Sequence, residues 1–299
     1  MNLGGKVAAV VVLYNPGNDF FDNNLLKILE QVDHCIIVDN TEKAQVNKCF
    51  HPASLFPEKV IYHEFGKNMG IATAQNKGIE IANLLRSEYI IFFDQDSCPT
   101  PSLVGILVES LVLLDKNGFK VGLIGPRAFN KENKKCYYHK DRDHGNVMNS
   151  VLSRYTPVDY TLSSGSLCRL DVFSVVGLFK DEYFIDSVDH EICFRMSHYG
   201  YQVFIDEEVK LPHMLGVYQT SFLGVDINIP SPIRHYYVFR NWIFLIKLNY
   251  VPIGFKLRVM SRILPKALYF SVFESPRLVR FKHIVRGVWH GLTNRDGKL

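Results

Sequence analysis

Two glycine signatures are missing from this sequence. No Gly-x-Gly-x-x-Gly follows the first apolar segment, and no Gly-x4-Gly-Lys-Ser/Thr occurs anywhere. The commonest backbone cradles for dinucleotides and nucleoside triphosphates are therefore lacking, and nicotinamide redox chemistry and P-loop phosphoryl transfer lose support. Cysteine is sparse: six in 299 residues, with no Cys-x-x-Cys pair. That argues against a zinc ribbon or disulfide scaffold and fits a reducing compartment. No run of about 18 uncharged apolar residues is present, so no membrane-spanning helix is expected. The first apolar run, Val7–Leu13, is too short to span and lacks a signal-peptide cleavage pattern, so it reads as the first strand of a cytoplasmic protein. Internal repeats and low-complexity tracts are absent as well.

The chain that remains is ordinary for a globular protein, with 47% hydrophobic and 21% charged residues. Its length suits one large domain or two modest ones. Strand and helix signals alternate through the first half. Val7–Leu13, His34–Val38, Lys59–Glu64, Tyr89–Phe93 and Val121–Gly125 are short apolar runs stopped by polar or turn residues. Between them, Phe20–Gln31 carries apolar residues at helical spacing, Ile71–Leu85 reads as a helix, and Pro101–Leu114 is apolar nearly all round, as a buried helix is. Uniformly apolar strands separated by helices predict an α/β fold with a mainly parallel sheet covered on both faces. Lys131–Asn149 reads as a polar loop or surface excursion. The second part of Tyr183–Tyr199 reads as a helix and Gln202–Ile205 as a short strand. From about Ser231 the chain becomes helical, aromatic and basic.

In an open α/β sheet, ligands lie beyond the carboxyl ends of the strands. The residues that stop the strands thus come first: Tyr14-Asn15, Asp39-Asn40 and Asp94-Gln95-Asp96. Asp94 and Asp96 either form an acidic turn or hold a hard divalent cation completed by phosphate oxygens. Asp186, Asp189 and Glu191 crowd into six residues beside His190. Asp189 is either a helix cap or a general base facing the sheet edge. His213 is either a structural histidine or the nitrogen donor of an oxygen-rich metal site. Gly66–Gly78, with Asn68, Gly70 and Asn76, reads as a tight turn with a small-residue face or as a loop that lets a ligand approach backbone closely.

Taken in order, these segments resemble the family 2 glycosyltransferases of GT-A fold, particularly bacterial rhamnosyltransferases that build O-antigen and related polysaccharides. The likeness runs from Val7 to Asn241. It is carried by Val-Val-Leu-Tyr14-Asn15-Pro16, Ile-Val-Asp39-Asn40-Thr41, Asn68-Met-Gly70-Ile-Ala-x3-Asn76-x-Gly78, Phe-Phe-Asp94-Gln95-Asp96-Ser97, Ser163-Ser-Gly165-Ser, Phe184-Ile-Asp186-x2-Asp189-x-Glu191-x3-Arg195, His213-x2-Gly216 and Tyr236-Tyr-x2-Arg240-Asn241.

The resemblance implies that Tyr14 and Asn15 flank a nucleotide base and Asp39 accepts its ring N–H. The Asn68 loop, with Asn40, Gly70, Asn76, Gln95, Gly165 and Arg240, would belong to the nucleotide-sugar site. Asp96 would coordinate Mg²⁺ or Mn²⁺ on the diphosphate and His213 would complete the metal shell, while Asp94 would join the metal site or contact the ribose or a metal-bound water, so that Asp94 and Asp96 belong to the nucleotide-sugar site as well. Asp189 falls at the position of the catalytic base, although Val188 stands where an acidic residue is common in the family; Glu191 is the other carboxylate for that role. The implied donor is a dTDP-sugar, with a UDP-sugar as the alternative, and the implied acceptor is a lipid-linked saccharide. A catalytically silent scaffold subunit has no need of this full set.

Charge is unevenly spread. Residues 240–299 hold 12 Lys/Arg against 2 Asp/Glu, whereas the rest of the chain holds 22 against 28. Phe255–Leu268 and Val279–Trp289 mix basic and apolar residues at helical spacing, as helices lying on anionic membranes do; the alternative is a basic cap packed on the catalytic domain. No basic-aromatic motif of a nucleic-acid binder accompanies them. The expected organisation is a catalytic domain over 1–235, with its nucleotide-sugar half near 1–98 and acceptor half near 99–235. A helical, basic, membrane-associating extension covers 236–299, and the protein would act peripherally on the inner face of the bacterial plasma membrane.

Overall fold

Apolar, β-branched segments have no face to leave in water, so they are stable at the centre of a sheet covered on both sides. A computed structural model, describing residues 5–17, 20–43, 56–130, 136, 153–213, 218–222 and 225–299, shows these segments assembled side by side. Strand β1 (Val7–Leu13) pairs in parallel with β2 (His34–Asp39) and β4 (Tyr89–Asp94), and β3 (Val60–Glu64) joins β2 in parallel. β5 (Val121–Asn130) and β8 (Gln202–His213) form a second parallel pair. The short antiparallel β7 (Leu167–Arg169) joins β4 to β5, and β6 (Tyr155–Val158) is antiparallel to β8 at the far edge. The eight-stranded order is β3-β2-β1-β4-β7-β5-β8-β6. β9 (Tyr218–Phe222) and β10 (Val225–Ile229) make a separate hairpin.

Successive residues of β1 enter different cores. Ala8 and Val10 pack with α2 (Ile71–Leu84), α4 (Val172–Val176) and α5 (Val188–His198), whereas Ala9 and Val11 pack with α1 (Leu25–Leu29) and α3 (Leu103–Lys116). Three further helices follow: α6 (Pro232–Lys247), α7 (Ile253–Val272) and α8 (Arg277–Leu292). Phe255 and Val259 of α7 enter the same core as α5. At Gly287 of α8 a Cβ would come within 2.5 Å of the Tyr236 carbonyl oxygen, so only glycine allows α6 and α8 to approach this closely.

Several expectations change in extent. The strand expected to end at Ile205 runs on to His213, through Asp206, Glu207 and Glu208, whose charges masked it. β6 and β7 have four and three residues, too short for a periodic signal. Of the expected excursion Lys131–Asn149 only Cys136, bridged to Phe129, is among the described residues.

Candidate active site

The register sets the site. Leu13 pairs with Asp39 and Val12 with Asp94, so the polar residues that stop β1, β2 and β4 share one edge of the sheet. They are bonded to one another. The Tyr14 amide donates to Gln95 Oε1 (2.8 Å) and the Asn15 amide to Thr41 Oγ1 (2.8 Å). Asp39 is buried; its carboxylate accepts the Thr41 amide (2.7 Å) and the Tyr62 hydroxyl (2.6 Å). Burial, then the Asp39 carboxylate, raises the Tyr62 hydroxyl well above its ordinary pKa, so it stays a donor.

The asparagines of the next loop hold backbone. Asn40 accepts from the Met69 amide (3.2 Å) and donates to the Gly70 carbonyl (3.0 Å), while Asn68 accepts from the Gly70 amide (3.0 Å). Gly70 has φ of +89°, and a Cβ there would lie 2.6 Å from the Phe184 carbonyl oxygen, which itself accepts the Ile71 amide at 2.7 Å. Asn76 is engaged elsewhere, bonding the Phe179 backbone and Asp181 at 2.8–2.9 Å and fastening α2 to that segment.

Asp94 is half-buried and Asp96 exposed. No described residue donates a hydrogen bond to either carboxylate. Burial and then the Asp96 charge push Asp94 up to about 7, with Arg234 opposing. Two neighbouring carboxylates without internal donors, one destabilised by the other, fit the oxygen-rich partial shell that a hard divalent cation takes beside phosphate oxygens. The Asp94 amide faces Ser97 and Ser164 Oγ at 3.2 and 3.4 Å, and the Gly165 amide donates to the Phe92 carbonyl (2.7 Å), pinning the 163–166 turn to the end of β4. His213 ends β8, its backbone paired with Asn130. Its side chain lies outside the described residues.

The segment before α5 is strained. Phe184, Asp186 and Ser187 all have positive φ, near 61–65°, which costs about 1–3 kcal/mol each and persists only where surrounding contacts over-determine the backbone. Helix α6 supplies those contacts. Asn241 Nδ2 donates to the carbonyls of Tyr183, Ile185 and Asp186 (2.7–3.0 Å), and Arg240 to those of Glu182 and Tyr183 (2.9 and 2.8 Å) and of Gly297 (2.6 Å). Arg234 pairs with Asp186 at 2.5 Å. Arg240 is fully buried, its donors taken by carbonyls rather than presented to an open pocket.

In α5 the two candidate bases differ. Asp189 is partly exposed in the first turn. Glu191 is buried, gripped by Arg195 through two bonds (2.9 and 2.8 Å) and by the Tyr250 hydroxyl. Between them, His190 packs on Tyr160 and Phe255, with ring centroids 4.2 and 5.5 Å apart, and burial lowers it to about 4, so it is neutral. Arg234, Tyr62 and Tyr250 carry no sequence signal of these roles; the four-residue spacing of Glu191 and Arg195 is the one visible hint.

Residues 8–174 match the Glycosyl transferase family 2 model. Over 301 aligned residues the sequence is 31% identical to the dTDP-rhamnosyl transferase RfbF of Shigella flexneri, covering 97% of this chain and 98% of that one. The chain belongs to glycosyl transferase family 2. This glycosyltransferase also superposes on solved structures. GalNAc-T7 with UDP, GalNAc and Mn²⁺ gives a TM-score of 0.57 at 12% identity, over 97% of this chain and 56% of that one. S. aureus TarS 1–349 gives 0.56 at 13%, over 97% and 82%. At such identities the likeness is one of fold, and the fold is GT-A.

Proposed function

We propose that this glycosyltransferase moves L-rhamnose from dTDP-β-L-rhamnose to a polyprenyl-diphosphate-linked saccharide, inverting the anomeric centre, in the synthesis of O-antigen or a related cell-surface polysaccharide. The observation that carries the donor assignment is the end-to-end identity with a dTDP-rhamnosyl transferase. The unbonded carboxylate pair at the end of β4 and the partly exposed Asp189 in the first turn of α5 support the chemistry.

Tyr14 and Asn15 flank the base, and Asp39, held by Thr41 and Tyr62, uses a remaining lone pair for its ring N–H. Asn40, Asn68, Gly70, Gln95 and Gly165 fix the loops around the sugar diphosphate. Asn76 and Arg240 act from behind these loops. Asp94, Asp96 and His213 would hold Mg²⁺ or Mn²⁺, which when bound supplies Lewis-acid stabilisation of the departing diphosphate. Asp189 takes the proton of the acceptor hydroxyl. That oxygen forms the new bond to the anomeric carbon as the bond to the diphosphate oxygen breaks, and the electron pair leaves with dTDP. A base so placed contributes about 10²–10⁴-fold. Glu191, bound to Arg195 and Tyr250, braces α5 instead. We read the protein as cytoplasmic and peripheral on the inner face of the plasma membrane, with catalysis in 1–235 and membrane association in 236–299.

Thermal unfolding with dTDP, UDP or GDP, each with and without Mn²⁺, tests the donor in wild type and Asp96→Ala. A ligand at about 100 times its dissociation constant adds about 2.7 kcal/mol. The expected result is greatest stabilisation by dTDP, dependent on Mn²⁺ and on Asp96. Greatest stabilisation by UDP would replace the donor while keeping glycosyl transfer; no shift with any nucleotide on folded protein would favour the scaffold reading.

A further inference from the structure

The last two helices carry their apolar faces outward. Of the twenty exposed large apolar side chains among the described residues, thirteen lie between Ile253 and Leu292. On α7, Ile253, Leu257, Met260, Leu264 and Leu268 recur every three or four residues and are 54–71% exposed. On α8, Leu278, Phe281, Val285, Trp289 and Leu292 do the same, at 50–76%. The stripes meet over an apolar groove of about 370 Å³ lined by Leu264, Leu268, Phe281, Val285 and Trp289 among others.

The orientation of α8 is locked from its other side. Arg280, buried, donates to the carbonyls of Pro230 (2.7 Å) and Ser275 (3.0 Å) and contacts His235 Nε2 (2.6 Å), while Gly287 and Gly291 lie against α6. Turning the stripe inward would break all of these contacts. Among described residues no helix is long and apolar enough to cross a membrane.

We infer that α7 and α8 form a monotopic docking element, the apolar stripes entering one leaflet of an anionic phospholipid bilayer. Charge identifies the occupant. Between Ile253 and Leu292 there are eight Lys/Arg and one acidic residue, Glu274, with Arg262, Arg277, Lys282 and Arg286 exposed beside the stripes. A second copy of the chain meeting this face would oppose like charges across a two-fold contact, whereas anionic headgroups complement them. The surface also reaches the site. Phe255, in the first turn of α7, packs on His190 and Phe194 of α5 (5.5 and 4.8 Å), next to Asp189. Leu264 follows nine residues on, about 14 Å along the helix. A saccharide tethered to a bilayer lipid is thus brought toward the proposed base. That use rests on the proposed lipid-linked acceptor, but docking itself is measured without any sugar.

The chain has two tryptophans, so in Trp242→Phe the stripe residue Trp289 reports alone. Its emission is recorded with phosphatidylcholine vesicles, with and without phosphatidylglycerol, and with lipids brominated on the acyl chain. Expected are a blue shift and bromine quenching with the anionic vesicles. Leu264→Glu with Val285→Glu, both at exposed positions, reduces partitioning at least tenfold at unchanged melting temperature, and Arg262→Gln reduces it roughly fivefold. Absent vesicle binding, binding without a Trp289 shift, or a shift that appears without lipid and tracks a sedimenting dimer would each overturn the inference. None of these failures alters stabilisation by nucleotide, so the donor reading stands or falls separately.

Discussion

At the residue scale, Asp189 and Glu191 sit differently, one partly exposed in the first turn of α5 and one buried in an ion pair with Arg195. Asp189→Asn is expected to keep nucleotide binding and to lose about 10²–10⁴-fold in turnover. Glu191→Gln removes the charge between Arg195 and Tyr250, so its expected signature is a loss of about 1–3 kcal/mol in stability. Comparing melting curves with single-turnover rates for the two variants checks this division. The opposite pattern would reassign the base. The sequence shows the cluster of acids but cannot show that Tyr250 grips Glu191, because Tyr250 approaches from 59 residues away.

At the element scale, α6 is a clamp on the strained turn before α5. Asn241 bonds three consecutive-region carbonyls and Arg240 two, which hold Phe184, Asp186 and Ser187 at positive φ. With Asn241→Ala the Ile185 and Asp186 carbonyls lose this donor, Tyr183 keeping Arg240, and the turn relaxes. The expected result is a fall in kcat of at least tenfold, with donor-nucleotide affinity changed little, read by steady-state kinetics beside nucleotide titration; an unchanged kcat would show that the turn holds itself. The Arg240-Asn241 pair stands in the sequence as a motif, yet its use as a backbone clamp is invisible there, since its partners lie 55–58 residues away.

At the scale of the whole molecule, neutral imidazoles are built into the interior. Burial lowers His190 to about 4, and burial with Arg280 lowers His235 to about 3. Below the ordinary histidine pKa of about 6.5, the unfolded chain binds protons that the folded one refuses, so stability falls as pH drops from about 6.5 toward 4. Asp94, raised to about 7, takes up a proton in the folded state over the same window and opposes this fall, so the histidine share is read as a difference: His190→Phe, keeping a ring against Tyr160 and Phe255, is expected to lose less melting temperature than wild type as pH drops. A slope unchanged in the variant would exclude His190 as its source.

The sequence by itself determined the alternation of strands and helices, the edge at which polar residues collect, and the carboxylates offered there. Those properties are local: apolar runs must be buried, and the residues that stop them mark the strand ends. β6 and β7, too short to carry a period, became strands only because edges of β8, β4 and β5 were there to pair with. The tertiary structure alone decided that Glu191 is buried and braced, that Arg240 and Asn241 grip backbone, and that the apolar stripes of α7 and α8 face outward. Each of these depends on what a distant segment places opposite, and amphipathic spacing gives a helix two faces without saying which one meets the core.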